Sequence, residues 1–310
     1  MSDQSNVGER SWCENPFSHL APGATGSLPA RARGTAYGLI ARGFQYPDDE
    51  LIGGLIDPAR WVSWPEVLSG INTEAHGLQS VGSIAEQLNA VRASLLEPRD
   101  SSRAAPKPTD CNPWDPSLEL QDTFNKLFGH AVRGKCPPYE LEYQRGEIIQ
   151  RASTLADIAG FYEAFGVTVT ESAHDRPDHV AVECEFMSVL CTKEAHAIET
   201  ADDDHLDICL EAQRGFLRDH LARWLPAFAD RVGQESPGGF YGALAGFAAA
   251  FIAAECHRFD ISVGPPTMEL SPADPVQDTT ITCATVDASA GSAGEQFVQL
   301  GVKRSPDAVG

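Results

Sequence analysis

A chain of 310 residues can bury a sizeable core, as one large domain or two small ones. With 23 Lys and Arg against 44 Asp and Glu it carries a formal net charge of −21, which argues against wrapping nucleic acid or binding an anionic membrane surface and favours cationic partners; only five of the bases are Lys, a balance that also suits a salt-rich cytoplasm. No basic segment followed by an apolar one opens the sequence and no run of 18 apolar residues occurs, so a cytoplasmic protein without membrane insertion is expected.

Residues 1–29, rich in Ser, Gly, Pro and Asn, read as a disordered tail. From Arg31 a helical stripe of Ala36, Tyr37, Leu39, Ile40 and Phe44 follows and stops at Gln45-Tyr46-Pro47-Asp48. Asp48, Asp49 and Glu50 supply first-turn acids for a helix over 51–56. An apolar cluster at Trp61, Val62, Trp64, Val67, Leu68 and Leu78 precedes a helix marked by Ile84, Leu88, Val91 and Leu95. The prolines between 98 and 116 predict a long exposed loop, and Leu118–Phe128 regains helical spacing. Pro137 and Pro138 then forbid regular structure, which leaves Tyr139, Glu140 and Glu142 on a stiff turn that is either a plain connector or part of a cleft. Thr154-Leu155-Ala156-Asp157 has the look of a capping box before the stripe Leu155, Ile158, Tyr162, Phe165, which Gly166 ends.

The stretch with the most to explain is Arg176-Pro177-Asp178-His179 and the helix that follows. Pro177 suits a helix start and Asp178 is a natural N-cap or first-turn anion. At 100° per residue His179, Val182, Glu183, Phe186 and Leu190 share one face, so a polar pair sits on a stripe that should be apolar. Two readings stay open: His179 and Glu183 hydrogen-bond each other at the edge of a core, or the acid, imidazole and second acid line a ligand cleft. Cys184 and Cys191 share a face but lie roughly 10 Å apart along the axis, too far to bridge or chelate together, so they are expected as core thiols. Asp202-Asp203-Asp204 feeds charge to the N-terminus of a helix that Pro226 kinks or ends. Residues 239–257, apolar almost all round, should form a central helix. Residues 259–310 read as a flexible tail with one short strand at 279–286. Neither a CxxC pair, a nucleotide loop nor a hydrolase motif appears among the residues. A metal site at His174 and His179 lacks a nameable third ligand, and a Cys136 nucleophile paired with His179 is conceivable but ranks lower still.

Four blocks carry a resemblance. Pro177-Asp178-His179 with Glu183 and Glu185-Phe186-Met187, the Ala156-Asp157-x-x-Gly160-Phe161-Tyr162-x-Ala164-Phe165-Gly166 helix before it, the Pro-rich turn with Tyr139-Glu140, and the first helix ending at Tyr46-Pro47 together resemble the TorD/DmsD/NarJ-type chaperones that mature molybdenum-containing redox enzymes. The likeness spans about residues 30–258. It implies an all-α bundle of roughly ten helices in two lobes, 30–130 and 131–258, the second with the Pro-Asp-His motif. It further implies a cytoplasmic chaperone, not an enzyme and without a cofactor of its own, for the molybdopterin-dependent catalytic subunit of an anaerobic respiratory oxidoreductase of the DMSO-reductase type. Such a protein binds the client's twin-arginine leader until the client's cofactor is in, as monomer or homodimer. On that footing Asp178, Glu183, Glu140 and Glu142 are expected at the mouth of a peptide site, Phe186, Tyr139, Trp61 and Trp64 as groove walls beside Pro138, and His179 as the residue that orients Asp178. The alternatives are a metal-dependent hydrolase with His174, His179 and Glu183 as ligands, and a helical transcription-linked or scaffold module.

Overall fold

The computed structural model describes residues 26–56, 86, 89–90, 92–93, 116–129, 133–144, 148–169, 176–272 and 298–300. They form an all-α fold: α1 (Leu28–Gly43), α2 (Asp49–Ile56), α3 (Pro116–Phe128), α4 (Ile148–Ala164), α5 (Val180–Thr200), α6 (Asp203–Phe216), α7 (Ala222–Glu235) and α8 (Phe240–Arg258). A 3-10 turn at Glu140–Glu142 and two three-residue strands, β1 (Val167–Val169) and β2 (Val298–Leu300), complete it. A π turn at Leu217–Leu221 joins α6 to α7, so these eight helices make seven rods among the described residues, against the roughly ten expected for the whole chain.

α5 is the axis. From Val180 to Met187 every side chain except Glu185 is buried, so its first two turns are enclosed on all sides and do not show the single apolar stripe expected from sequence. α1 lies along one side, drawn close at Gly34, where an added Cβ would sit 3.2 Å from Cys191 Cβ and 3.3 Å from Ser188 O. Ser188 Oγ fastens the contact by donating to Gly34 O at 2.7 Å. α8 packs on α7 and α1; it is long and apolar enough to cross a membrane, with mean hydropathy 1.3, but is largely buried within the bundle, as the central-helix expectation had it. One continuous apolar core runs from Ala32 to Cys256 across residue 130, the expected boundary between lobes. Cys136, Cys184, Cys191, Cys209 and Cys256 are free and buried.

Several elements differ from the sequence reading for identifiable reasons. Thr154 opens no helix: α4 has already begun at Ile148, and the Thr154 hydroxyl bonds back to Gln150 O at 3.1 Å. Pro226 does not end α7 but lies inside it. Lacking an N–H, Pro226 leaves Ala222 O without its helical partner, and Gly264 N donates to that oxygen at 2.9 Å instead. Only glycine fits there, since an added Cβ would meet Arg223 O at 2.3 Å. Residues 259–272 are therefore docked along the bundle, through Gly264, through Met268 O against Arg231 at 3.5 Å and through Ser271. The strand expected at 279–286, Trp61, Trp64, the loop at 98–115 and most of the helix at 84–96 lie outside the described residues; β2 falls further along, at 298–300.

Candidate functional site

Two prolines hold the 137–140 segment extended, and it pairs with the residues that open α5. Glu140 N donates to Asp178 O at 2.9 Å, Val180 N to Pro138 O at 2.9 Å, and Tyr139 and His179 form an antiparallel bridge. This short ladder brings three carboxyls from distant parts of the chain into one buried place: Asp178, Glu140 and Glu183 are each 0% exposed.

Each carboxyl has different company. Asp178 accepts from Arg176 Nε at 2.9 Å and Nη2 at 2.6 Å, a two-pronged ion pair, and from Leu141 N at 3.1 Å. The Arg176 guanidinium also lies 4.7 Å above the Tyr139 ring. Glu140 accepts from Gln144 and lies 3.2 Å from His220 Nδ1. Glu183 accepts from Trp224 Nε1 at 3.1 Å, and its Oε1 finds no partner. Burial pushes the Glu183 carboxyl well above the usual range, and the neighbouring Glu140 and Asp178 push it further. Burial raises Glu140 as well, opposed by His220. The Glu183 carboxyl is therefore biased toward its protonated form more strongly than a solvent-exposed glutamate.

His220 was not among the residues singled out from sequence. It sits in the π turn, whose extra residue rotates it inward, and its ring joins buried Glu140 to Asp157, 3.1 Å from Nε2 and largely exposed. Nothing in the local pattern Leu217-Arg218-Asp219-His220-Leu221 betrays a π turn; only the burial of a His between two acids does.

The remaining expected residues divide. Glu142 is ringed by Arg133 at 2.8 Å, Arg176 at 3.6 Å and Arg151 at 3.9 Å, all of this chain. Tyr139 is half-buried beside Arg176 and meets His179 ring to ring at 5.1 Å. Phe186 lies at the centre of the core, 4.8 Å from Tyr162 and 4.9 Å from Phe216, rather than along an open groove. The N-cap of α5 is His179 and not Asp178: His179 Nδ1 accepts from Ala181 N at 3.1 Å, while Asp178, one residue earlier, is taken up by Arg176 and Leu141. Glu183 N donates to His179 O at 3.0 Å within the helix, while the Glu183 carboxyl turns to Trp224. His179→Ala is expected to cost about 0.5–2 kcal/mol, the usual range for a lost cap, with His179→Asn recovering most of it in urea unfolding.

For the other chemistries, His174 lies outside the described residues, and no group of three His, Cys, Asp or Glu suited to a metal occurs among the described ones. Burial, with Glu235 nearby, pushes the Cys136 thiol up to about 12, which leaves no thiolate for nucleophilic attack near neutrality.

The fold and site thus define an all-α protein with a buried, acid-rich, cation-paired cluster at the head of its central helix. Residues 102–230, which include that cluster, match the nitrate reductase delta subunit family. Among its relatives, the chaperone protein TorD of Vibrio cholerae serotype O1 is 34% identical over 151 residues, 48% of this chain and 66% of the relative. The selenate reductase assembly chaperone protein of Thauera selenatis is 34% identical over 99 residues, 32% of this chain and 50% of the relative. The chlorate reductase assembly chaperone protein of Ideonella dechloratans is 37% identical over 82 residues, 26% of this chain and 42% of the relative. The chain thus spans just under two thirds of the first of these relatives and half or less of the other two.

Proposed function

We propose that the protein is a cytoplasmic chaperone of a molybdenum-dependent reductase, which binds the catalytic subunit before its cofactor is in, through a twin-arginine leader where the client has one. The names of the relatives support the maturation role. The observation that carries the peptide reading is the arrangement of Arg176, gripped two-pronged by Asp178 and stacked on Tyr139. A guanidinium between a carboxylate and an aromatic face is how a binding site holds arginine, and Arg176 occupies such a place in the closed protein. Glu142, 3.6 Å from Arg176, adds a second acid beside it, the setting in which a cationic peptide can exchange with Arg176. The net charge of −21 would speed the encounter and make it salt-dependent.

The test is calorimetric titration with a synthetic leader peptide bearing two adjacent arginines, against versions with both changed to alanine or to lysine. Micromolar binding is expected, roughly tenfold weaker or more with lysine, which cannot make the two-pronged contact, and weaker still with alanine. Equal binding of all three would exclude arginine reading. No binding of any would turn the proposal toward recognition of the folded apo-subunit.

A further inference from the structure

Residues 259–272, which follow α8 and fall outside the span of the family resemblance, cross the bundle without regular structure and end against the turn that carries Glu140 and Glu142. From Gly264 to Ser271 the chain is held largely by its backbone. Gly264 N donates to Ala222 O at 2.9 Å, Met268 O accepts from Arg231 at 3.5 Å, Ser271 N donates to Glu142 O at 2.8 Å, and Ser271 O accepts from Arg133 Nη1 at 2.8 Å. Met268 and Leu270 pack against the core while Glu269 between them is exposed, the period-two alternation of an extended chain. Ser271, 4% exposed, closes the end: its hydroxyl donates to Gln144 O at 2.5 Å, with Leu141 O 3.2 Å away.

A protein holds a foreign extended peptide in the same way, with main-chain bonds for affinity and places for alternate side chains for selection. The holder offers more here than the occupant takes. Arg133 Nε and Arg231 Nε are buried and, among the described residues, find no hydrogen-bond partner, and the one bond Arg231 makes to Met268 O is long. Pro265 and Pro266 have no N–H to give, and with Val263 and Thr267 they are exposed. The occupant is thus fixed firmly at its two ends and loosely between them. Its far end adjoins the cationic site, because Arg133 reaches both Ser271 O and the Glu142 carboxylate at 2.8 Å, and Glu142 lies 3.6 Å from Arg176.

We propose that Ala222 O, Arg231, Arg133 and the carbonyls of the 141–144 turn form a seat for an extended peptide, that residues 264–271 are its resident occupant, and that they give way there to a client segment with apolar residues two apart. This rests on the peptide-binding reading above and deepens it: the client's arginines go to the place of Arg176, and the apolar stretch beside them takes the places of Met268 and Leu270. The occupant follows directly from α8 and so competes as an intramolecular ligand, which opens the seat only to segments that fill it better. Departure of Ser271 also frees the turn whose Glu140 N and Leu141 N bond Asp178, which couples filling of the seat to the exchange of Arg176.

The test uses the full chain, as wild type and with Gly264→Ala and Ser271→Ala together, and a fluorescently labelled peptide of residues 262–272 as probe. A Cβ at 264 clashes with Arg223 O and the second change removes the Ser271 hydroxyl, so the double variant loosens the occupant and leaves the residues of the seat unaltered. The probe is expected to bind the double variant at least about tenfold more tightly than the wild type, as relief of an intramolecular competitor requires. Met268→Asp with Leu270→Asp in the probe should cost at least about tenfold of that affinity, since both places are apolar. A probe that binds neither form, or both equally, would overturn the proposal. The wild-type chain gives a second reading that needs no variant: with a twin-arginine leader at saturation, the amides of Gly264 and Ser271 should exchange at least about tenfold faster. Unchanged exchange with the leader bound means that the arginine reading holds and the seat falls. If the leader does not bind while the probe binds the double variant, the seat holds and the leader reading falls.

Discussion

Replacing Arg33 by alanine is expected to lower the unfolding free energy by about 3–5 kcal/mol, the cost of breaking a buried ion pair from one side. Arg33 is 4% exposed and reaches across from α1 to Glu194 of α5 at 2.6 and 2.5 Å and to Glu255 of α8 at 3.4 Å. Gln213 of α6 donates to Glu194 at 2.8 Å, Arg258 reaches Glu194 at 3.2 Å, and the Tyr37 hydroxyl meets Glu255 at 3.5 Å. Four helices therefore share one polar knot. Burial raises the Glu255 carboxyl while Arg33 and Arg258 hold it down, so without Arg33 the more exposed Arg258 is the one cation left in the knot for two buried acids. Arg33→Lys should cost less than alanine but more than a surface change, because one ammonium cannot serve both acids in the same way. Urea unfolding at constant m-value reads the difference; a loss below about 1 kcal/mol in the alanine variant would show that the knot adds little to the docking of α1.

Glu183→Gln is expected to leave the fold intact and flatten the fall of stability with rising pH. Burial and the acids around Glu183 raise its carboxyl above the value in the unfolded chain. The native state therefore binds the proton more tightly than the unfolded state does. Its stabilising share is complete below the unfolded value, near pH 4.3, and is lost as pH climbs through the raised native value, at about 1.4 kcal/mol for each pH unit that separates the two. Glu140 and Glu255 are raised too and add to the same slope. The wild type should thus be most stable on the mildly acidic side and weaken toward alkaline pH. Glutamine keeps an acceptor for Trp224 Nε1 and offers donors toward Glu140 without any charge to bury. Melting curves of both proteins between pH 5 and 9 should diverge, with the variant the more stable at the alkaline end; parallel curves would mean that Glu183 is ionised in the native protein.

The sequence disclosed the rods more readily than the joints between them. Periodicity placed α1, α3, α5 and α8, and a family signature marked the head of α5, because apolar spacing and short motifs are local properties. The expected acids Asp178, Glu140 and Glu183 do meet, although Glu140 lies some forty residues upstream of the other two, since two prolines leave that turn extended and ready to pair. Their partners were not legible. That Arg176 would fold back on Asp178 is a matter of local backbone geometry, that Trp224 would claim Glu183 depends on where α7 crosses α5, and that His220 would turn inward depends on a π turn. Nor could Pro226 be read as a docking point, because its effect lies in the carbonyl it releases at Ala222 and in a glycine 42 residues beyond that carbonyl.

The stretch held at Ala222 O has a consequence for the timing of synthesis. Further along it, the Ser271 hydroxyl donates to Gln144 O at 2.5 Å and the Ser271 N–H to Glu142 O at 2.8 Å, clasping the loop that carries Glu140. Residue 271 is made 127 residues after residue 144, which at ~5–20 residues per second is a delay of roughly 6–25 s. While it is still on the ribosome, the chain can complete α5 and its Asp178-His179 head well before the clasp exists. The loop that carries Glu140 is thus made well before the segment that clasps it, so that the last contacts around the acid cluster are supplied by the late-made stretch.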